Sequence, residues 1–118
     1  MKNIAPKVFR KRLLIELFYT ISVDKKTIED YFKAILKSLK IKSYGKPIIF
    51  SPGGIGKQEN QGYDAFIPLI DSGISVYVWS SFKFVSLIIY TCKGFNEKEA
   101  IETTKKFFKA DKTVSMSF

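Results

Sequence analysis

The stretch PLIDSGISVYVW, Pro68 to Trp79, sets two apolar segments on either side of Asp71-Ser72-Gly73. An acid, a hydroxyl and a glycine in one break allow three readings: a plain turn, a peptide bond that the serine can cut, or one wall of a substrate pocket. Glu16 is a second candidate, because it interrupts the apolar run RLLIELFYTIS. A carboxylate there is costly unless it is paired, lies at an edge or faces a ligand. Cys92 is either a small buried hydrophobe or a thiol at a site. Phe50 and Trp79 suit a core or a stacking surface. The loop SPGGIGK, Ser51 to Lys57, has the flavour of a phosphate loop. It lacks the Walker spacing, Gln58 follows the lysine, and a strand rather than a helix is expected next. Lys57 is therefore read as a cation in a flexible loop that can meet an anion.

The chain contains no histidine. The commonest general base and the commonest zinc ligand are thus both missing. A Ser-His-Asp triad is excluded within this chain. Chemistry here has to come from carboxylates, hydroxyls, Tyr, Lys, Cys92 or the substrate itself.

The elements that position these residues follow from periodicity. RLLIELFYTIS reads as a strand. In VDKKTIEDYFKAILKSLK, Ile28, Tyr31, Phe32, Ile35, Leu36 and Leu39 share one face of an amphipathic helix, with Asp24 as N-cap. KPIIFS is a short strand, followed by the glycine-rich loop. DAFIPLI, ISVYVW and KFVSLIIYT read as three successive strands. NEKEAIETTKKFFKA is a second helix, with Asn96 and Glu99 in capping-box spacing and Ala100, Ile101, Thr104, Phe107 and Phe108 inward. TVSMSF is a final short strand. The expected class is α+β: a two-layer sandwich, an antiparallel sheet covered on one face by two helices.

At 118 residues and 46% hydrophobic, a single domain over 1–118 with a packed core is expected. No apolar run is long enough to span a membrane, and the basic start MKNIAPKVFRKR is not followed by a signal-peptide pattern, so a cytoplasmic protein without membrane contact is expected. One cysteine precludes an internal disulfide. The net charge of +9 comes from lysines spread over both termini, both helices and the loops. There is no nucleic-acid motif and no single basic stripe, so direct nucleic-acid binding is not expected. A phosphorylated ligand is compatible with the charge.

LIDSGISVYVWSSFKFVSLIIYTCKG resembles the core of the small bacterial and archaeal S-adenosylmethionine decarboxylases. That family's pattern runs Glu-Ser-His, hydrophobic, Ser/Thr, hydrophobic, His-Thr-Trp-Pro-Glu, then a strand ending in Thr-Cys-Gly. Ser72, Ile74, Ser75, Val76, Trp79, Thr91 and Cys92 match it. Phe50-Ser51-Pro52 resembles its Phe-Ser-Pro segment, and LLIELFYT its first strand, with Glu16 where Asp is usual. The resemblance runs from about Leu13 to Phe108. It implies the α+β sandwich, S-adenosylmethionine as substrate, and Phe50 as the aromatic that stacks on adenine.

The departures fall on self-processing. Family enzymes cut their own chain before the serine, which becomes a pyruvoyl group and serves as the electron sink for decarboxylation. Here Asp71 replaces the Glu before the serine, Gly73 the His after it, Asp64 the helper serine and Tyr77 the helper histidine. Ser80-Ser81 replaces Pro-Glu. A pocket of this kind without a pyruvoyl group suits another reaction. The carboxylate of S-adenosylmethionine can displace its own sulfonium, giving 5′-methylthioadenosine and homoserine lactone. That needs a tight, dry pocket and no cofactor or metal.

The expected function is therefore a carbon–sulfur lyase on S-adenosylmethionine or on its adenylated conjugate SAM-AMP, a messenger in some type III CRISPR defences. Asp64, Asp71, Ser72 and Tyr77 are the candidate catalytic residues. Glu16, Phe50, Lys57, Trp79 and Cys92 are the candidate substrate contacts. In this reading Asp71-Ser72-Gly73 is a former cleavage turn kept as a pocket wall. The alternatives are a pyruvoyl-dependent decarboxylase, with the pyruvoyl made from Ser72, and a non-catalytic regulatory homologue. Family decarboxylases are built on dimers and the phage lyases are trimers, so a homo-oligomer is expected.

Overall fold

The computed structural model describes residues 1–118. Six strands and two α-helices follow in the order β1 (Lys11–Phe18), α1 (Lys25–Leu39), β2 (Ile48–Phe50), β3 (Gly62–Leu69), β4 (Ser72–Trp79), β5 (Phe84–Thr91), α2 (Glu97–Phe108) and β6 (Lys112–Ser117). They form one sheet in the order β2-β3-β4-β5-β1-β6, and every neighbouring pair is antiparallel. Both helices lie on one face, as the periodicity predicts. No helix is long and apolar enough to cross a membrane.

Strand alternation explains the core. Leu13, Ile15 and Leu17 of β1, Ala65, Ile67 and Leu69 of β3, and Ile74, Val76 and Val78 of β4 point to the helices. Val85, Leu87 and Ile89 of β5 do the same, and all twelve are buried. Ile28, Tyr31, Phe32 and Ile35 of α1 meet them, with Ala100, Thr104 and Phe108 of α2. Ile101 and Phe107, expected inward on α2, are only partly buried.

Local signals set the helix ends. The Asp24 carboxylate accepts the Thr27 N–H at 2.9 Å, and the Thr27 hydroxyl accepts the Asp24 N–H at 3.1 Å. This capping box holds the Asp24 carboxyl below its ordinary value, chiefly through the Thr27 amide. The box expected on α2 forms only by half. Asn96 accepts the Glu99 N–H at 2.9 Å, but the Glu99 carboxylate instead accepts the Ser38 hydroxyl of α1 at 2.9 Å.

The helices are also joined through a buried pair. The Tyr31 hydroxyl lies 2.8 Å from Thr104 Oγ1, and the Thr104 hydroxyl donates to the Ala100 carbonyl at 2.8 Å. The single Thr104 proton is therefore used, and Tyr31 is the donor to Thr104. Burial pushes the Tyr31 phenol well above its ordinary value. Thr104→Val should leave that buried phenol unsatisfied and cost about 1–3 kcal/mol. Tyr31→Phe removes only the donor and should cost less, about 0.5–1.5 kcal/mol. Urea unfolding of both variants checks the order.

The break in PLIDSGISVYVW is narrower than the sequence suggests. Leu69 pairs with Ser72 and Pro68 with Gly73, so Ser72 and Gly73 belong to β4 and the turn is Ile70-Asp71.

Candidate active site

The sheet face away from the helices is uncovered. Cross-strand register aligns its residues in transverse rows, and one row is polar. Phe50 of β2 stands opposite Asp64 of β3, Asp64 opposite Tyr77 of β4, Tyr77 opposite Ser86 of β5, and Ser86 opposite Glu16 of β1. At about 4.8 Å per strand, the row spans roughly 19 Å from Phe50 to Glu16. Four residues singled out in the sequence thus share one line across the face.

Glu16 is neither at a sheet edge nor in a salt bridge. Its strand lies between β5 and β6, and its carboxylate accepts the Ser86 hydroxyl at 2.8 Å. Ser86 was not anticipated. The signal was present: it is the one polar residue inside FVSLIIY, but only the β1–β5 register sets it against Glu16. Phe50 is 66% exposed, so it is a surface aromatic and not core.

Apolar rows flank the polar one. On one side run Ile48, Phe66, Ser75, Ile88, Leu14 and Met116. On the other are Trp79, Phe84 and Phe18, whose rings form a chain with centroids 5.5 Å and 5.4 Å apart. A hollow of about 360 Å³ opens beside Trp79, Phe84 and Phe18. A second, of about 400 Å³, is bordered by Phe66, Ser72, Gly73, Ser75, Ile88 and Tyr90. A Cβ on Gly73 would meet the Phe66 ring at 2.5 Å, so the Phe66 ring fills the place of a side chain at position 73.

Asp71, Ser72 and Cys92 form a second cluster at the β3–β4 turn. The Cys92 amide donates to the Asp71 carbonyl at 2.8 Å, and the Cys92 thiol lies 3.9 Å from the Asp71 carboxylate. Lys93 Nζ lies 3.9 Å from the same carboxylate. Cys92 is exposed, contrary to the usual habit of a free cysteine. Ser72 has φ +129°, a strained value for a residue with a side chain, at a cost of about 1–3 kcal/mol. Ser72 and Tyr77 stand five residues apart in one strand, about 16 Å. The structure thus brings Asp64 and Tyr77 together, and Asp71, Ser72 and Cys92 together, as two separate groups.

Lys57 sits in the connection from Phe50 to Gly62, where its carbonyl accepts the Asn60 amide at 3.1 Å and the Gln61 side-chain amide at 3.2 Å. Gln61 ties that loop down, accepting the Gly54 N–H at 2.9 Å and donating to the Ile55 carbonyl at 2.9 Å. No three carboxylate or thiol groups converge as metal ligands.

The profile of the S-adenosylmethionine decarboxylase family matches residues 11–118. The chain belongs to the S-adenosylmethionine decarboxylase family. Its fold is similar to the crystal structure of the adenosylmethionine decarboxylase from Aquifex aeolicus VF5, with a TM-score of 0.72 at 14% identity over 94% of this chain and 89% of that one. No curated protein matches it in sequence. In this family member the fold places the serine before a glycine that an aromatic ring covers. Asp64 and Tyr77, which the sequence resemblance sets at the family's helper serine and histidine, are a cross-strand pair. Those two residues supply a carboxylate and a phenol on the polar row, five or more residues along their strands from Ser72 or Leu69. A carboxylate and a phenol stand there in place of the hydroxyl and imidazole that the family resemblance implies for self-processing.

Proposed function

We propose that this protein is a pyruvoyl-free lyase that cleaves S-adenosylmethionine, or its adenylated conjugate SAM-AMP, to the methylthioadenosine product and homoserine lactone. The observation that carries this reading is the row Phe50, Asp64, Tyr77, Ser86, Glu16 on the open face. Its chemistry follows the substrate from end to end. Phe50 takes the adenine face and Asp64 the ribose hydroxyls. The Tyr77 ring faces the sulfonium. Glu16, oriented by Ser86, takes the α-ammonium. Lys57, in the loop that follows Phe50, is assigned to the extra phosphate of the conjugate.

In the reaction a substrate carboxylate oxygen bonds to the γ-carbon as the carbon–sulfur bond breaks, and the sulfur keeps the electron pair. An anion and a cation neutralise each other, so a dry, weakly polar setting favours the transition state. The apolar rows on both sides supply that setting. The ammonium keeps its charge throughout, so Glu16 positions the substrate rather than driving the bond change. No general base is needed, in keeping with the lack of histidine.

The open face also needs cover. Phe18, Phe66, Val114 and Met116 are all exposed on it, a patch that a lone domain rarely shows. A second copy of the chain over this face would exclude water and complete the site, making the active form a homo-oligomer.

Decarboxylation is the second reading, favoured by the strained φ at Ser72 and by the Cys92 amide on the Asp71 carbonyl. Purified protein incubated with S-adenosylmethionine and, separately, with SAM-AMP separates the two. Methylthioadenosine, free or adenylated, together with an uncut intact mass, is the expected result. Two fragments split between Asp71 and Ser72, with carbon dioxide release, would replace the lyase by the decarboxylase.

A further inference from the structure

A groove of about 510 Å³ lies on the helix side of the sheet, between α1 and the edge strand β2. It is separate from the open face and no step proposed above uses it. The connection after α1 is held to the end of β3, the Tyr44 amide donating to the Pro68 carbonyl at 3.0 Å and the Ile70 amide to the Lys42 carbonyl at 3.1 Å, and Gly45, Lys46 and Pro47 then wall the groove before the three-residue β2 begins. The volume falls in the roughly 300–1,000 Å³ range of small-molecule sites.

Its floor is apolar, made by Phe32 and Leu36 of α1 with Ile49 and Ile67 of the strands. Its rim carries Lys25, Lys33 and Lys46 against the single Glu29. None of the four is in an ion pair; the salt bridges of the chain are Lys11–Glu97, Lys26–Asp30, Lys93–Asp71 and Lys105–Glu102. Lys25 and Lys33 each stand one helical turn from Glu29, yet neither pairs with it. Three ammonium groups and one carboxylate leave a net rim charge of +2. A phosphomonoester carries about −1.5 to −2 at pH 7. The apolar floor suits a flat body attached to it.

We infer that this groove binds a phosphomonoester carried on an aromatic or similarly flat apolar body. Ile49 faces the groove, while Ile48 and Phe50, its neighbours in β2, are on the opposite face. An occupant therefore packs against the back of the strand that carries Phe50. The inference does not depend on which reaction the open face performs.

The test uses the 118-residue chain with adenosine 5′-monophosphate and phenyl phosphate as probes, followed by calorimetry and amide chemical shifts. At least one probe should bind and shift the amides of Leu36 and Ile49. Adenosine and inorganic phosphate should each bind at least tenfold more weakly. The double variant Lys33→Gln/Lys46→Gln should weaken the probe at least tenfold, while Phe50→Ala should leave its affinity unchanged. Absence of binding by both probes would overturn the inference. So would binding by inorganic phosphate as tight as the ester, which would mark a lysine surface only. Binding that survives the double variant but is lost in Phe50→Ala would move the ligand to the open face and overturn it equally.

Discussion

Asp64→Asn and Tyr77→Ala should each lower kcat/KM for carbon–sulfur cleavage by about 100-fold or more, since small misplacements of the reacting groups carry losses of that order. Asp64 and Tyr77 are direct cross-strand partners at the middle of the polar row, between Phe50 and Ser86. Asp64 is exposed and makes no ion pair, so its amide should change stability by no more than about 0.5 kcal/mol. Tyr77 is also exposed, and its truncation should cost about 1 kcal/mol, the span of strand preferences. Glu16→Gln should act differently: it weakens the hold on the ammonium and raises KM more than it lowers kcat. Steady-state kinetics beside urea unfolding separates these effects. Full activity in both Asp64→Asn and Tyr77→Ala would remove the polar row from the mechanism.

Gly62→Ala should destabilise the fold by about 3 kcal/mol or more, a large part of the roughly 5–15 kcal/mol that holds a domain together. A Cβ on Gly62 would sit 1.8 Å from the Val78 carbonyl oxygen and 2.8 Å from its carbon. Both are backbone atoms of the paired strand, so no side-chain rotation relieves the clash. The start of β3 would have to leave β4, and Asp64 lies two residues further on. Gly94→Ala is the control, because a Cβ there meets nothing within 4 Å and should change stability by less than about 0.5 kcal/mol. A shift in urea midpoint in Gly62→Ala alone is the expected outcome. Equal midpoints for the two variants would show that β3 begins elsewhere.

Much of the local structure was legible in the sequence because its causes are local. Asp24 with Thr27 caps α1, Asn96 caps α2, and the spacing of Ile28, Tyr31, Phe32 and Ile35 defines the buried stripe of α1. Runs such as RLLIELF and FVSLIIYT fail to alternate cleanly, and the reason is now visible. Outside the Glu16–Ser86 pair, outward positions such as Leu14, Phe18, Phe84 and Ile88 belong to the apolar rows of the open face, so these strands are largely apolar on both sides. The family was legible as well, from Ser72, Trp79, Thr91 and Cys92 at their spacing.

The site was less legible, since it depends on register. A turn centred on Asp71-Ser72-Gly73 would pair Ile70 with Ile74 and Asp64 with Ser80. The turn at Ile70-Asp71 pairs Asp64 with Tyr77. The first register would turn Ser75, Tyr77 and Trp79 toward the helices beside Leu69, Ile67 and Ala65; the second buries Ile74, Val76 and Val78 there instead, and that apolar burial makes the choice. The turn is further held from outside the hairpin: the Ile70 amide donates to the Lys42 carbonyl at 3.1 Å, and the Cys92 amide to the Asp71 carbonyl at 2.8 Å. Grouping Ser72 with Tyr77 followed the family pattern. Strand alternation and an offset of five residues set them apart.

The sequence by itself determined the elements, the class of fold, the family and the kinds of chemistry open to a chain without histidine, because composition, periodicity and motif spacing are properties of neighbours along the chain. Only the tertiary structure decided that Glu16 meets Ser86 across 70 residues of sequence, that Phe50, Asp64, Tyr77 and Glu16 share one row, and that the turn cluster stands apart from it. The physical reason is that a one-residue slip in any strand pair would exchange the two faces of the sheet, and burial against two helices fixes that register only when all six strands are assembled.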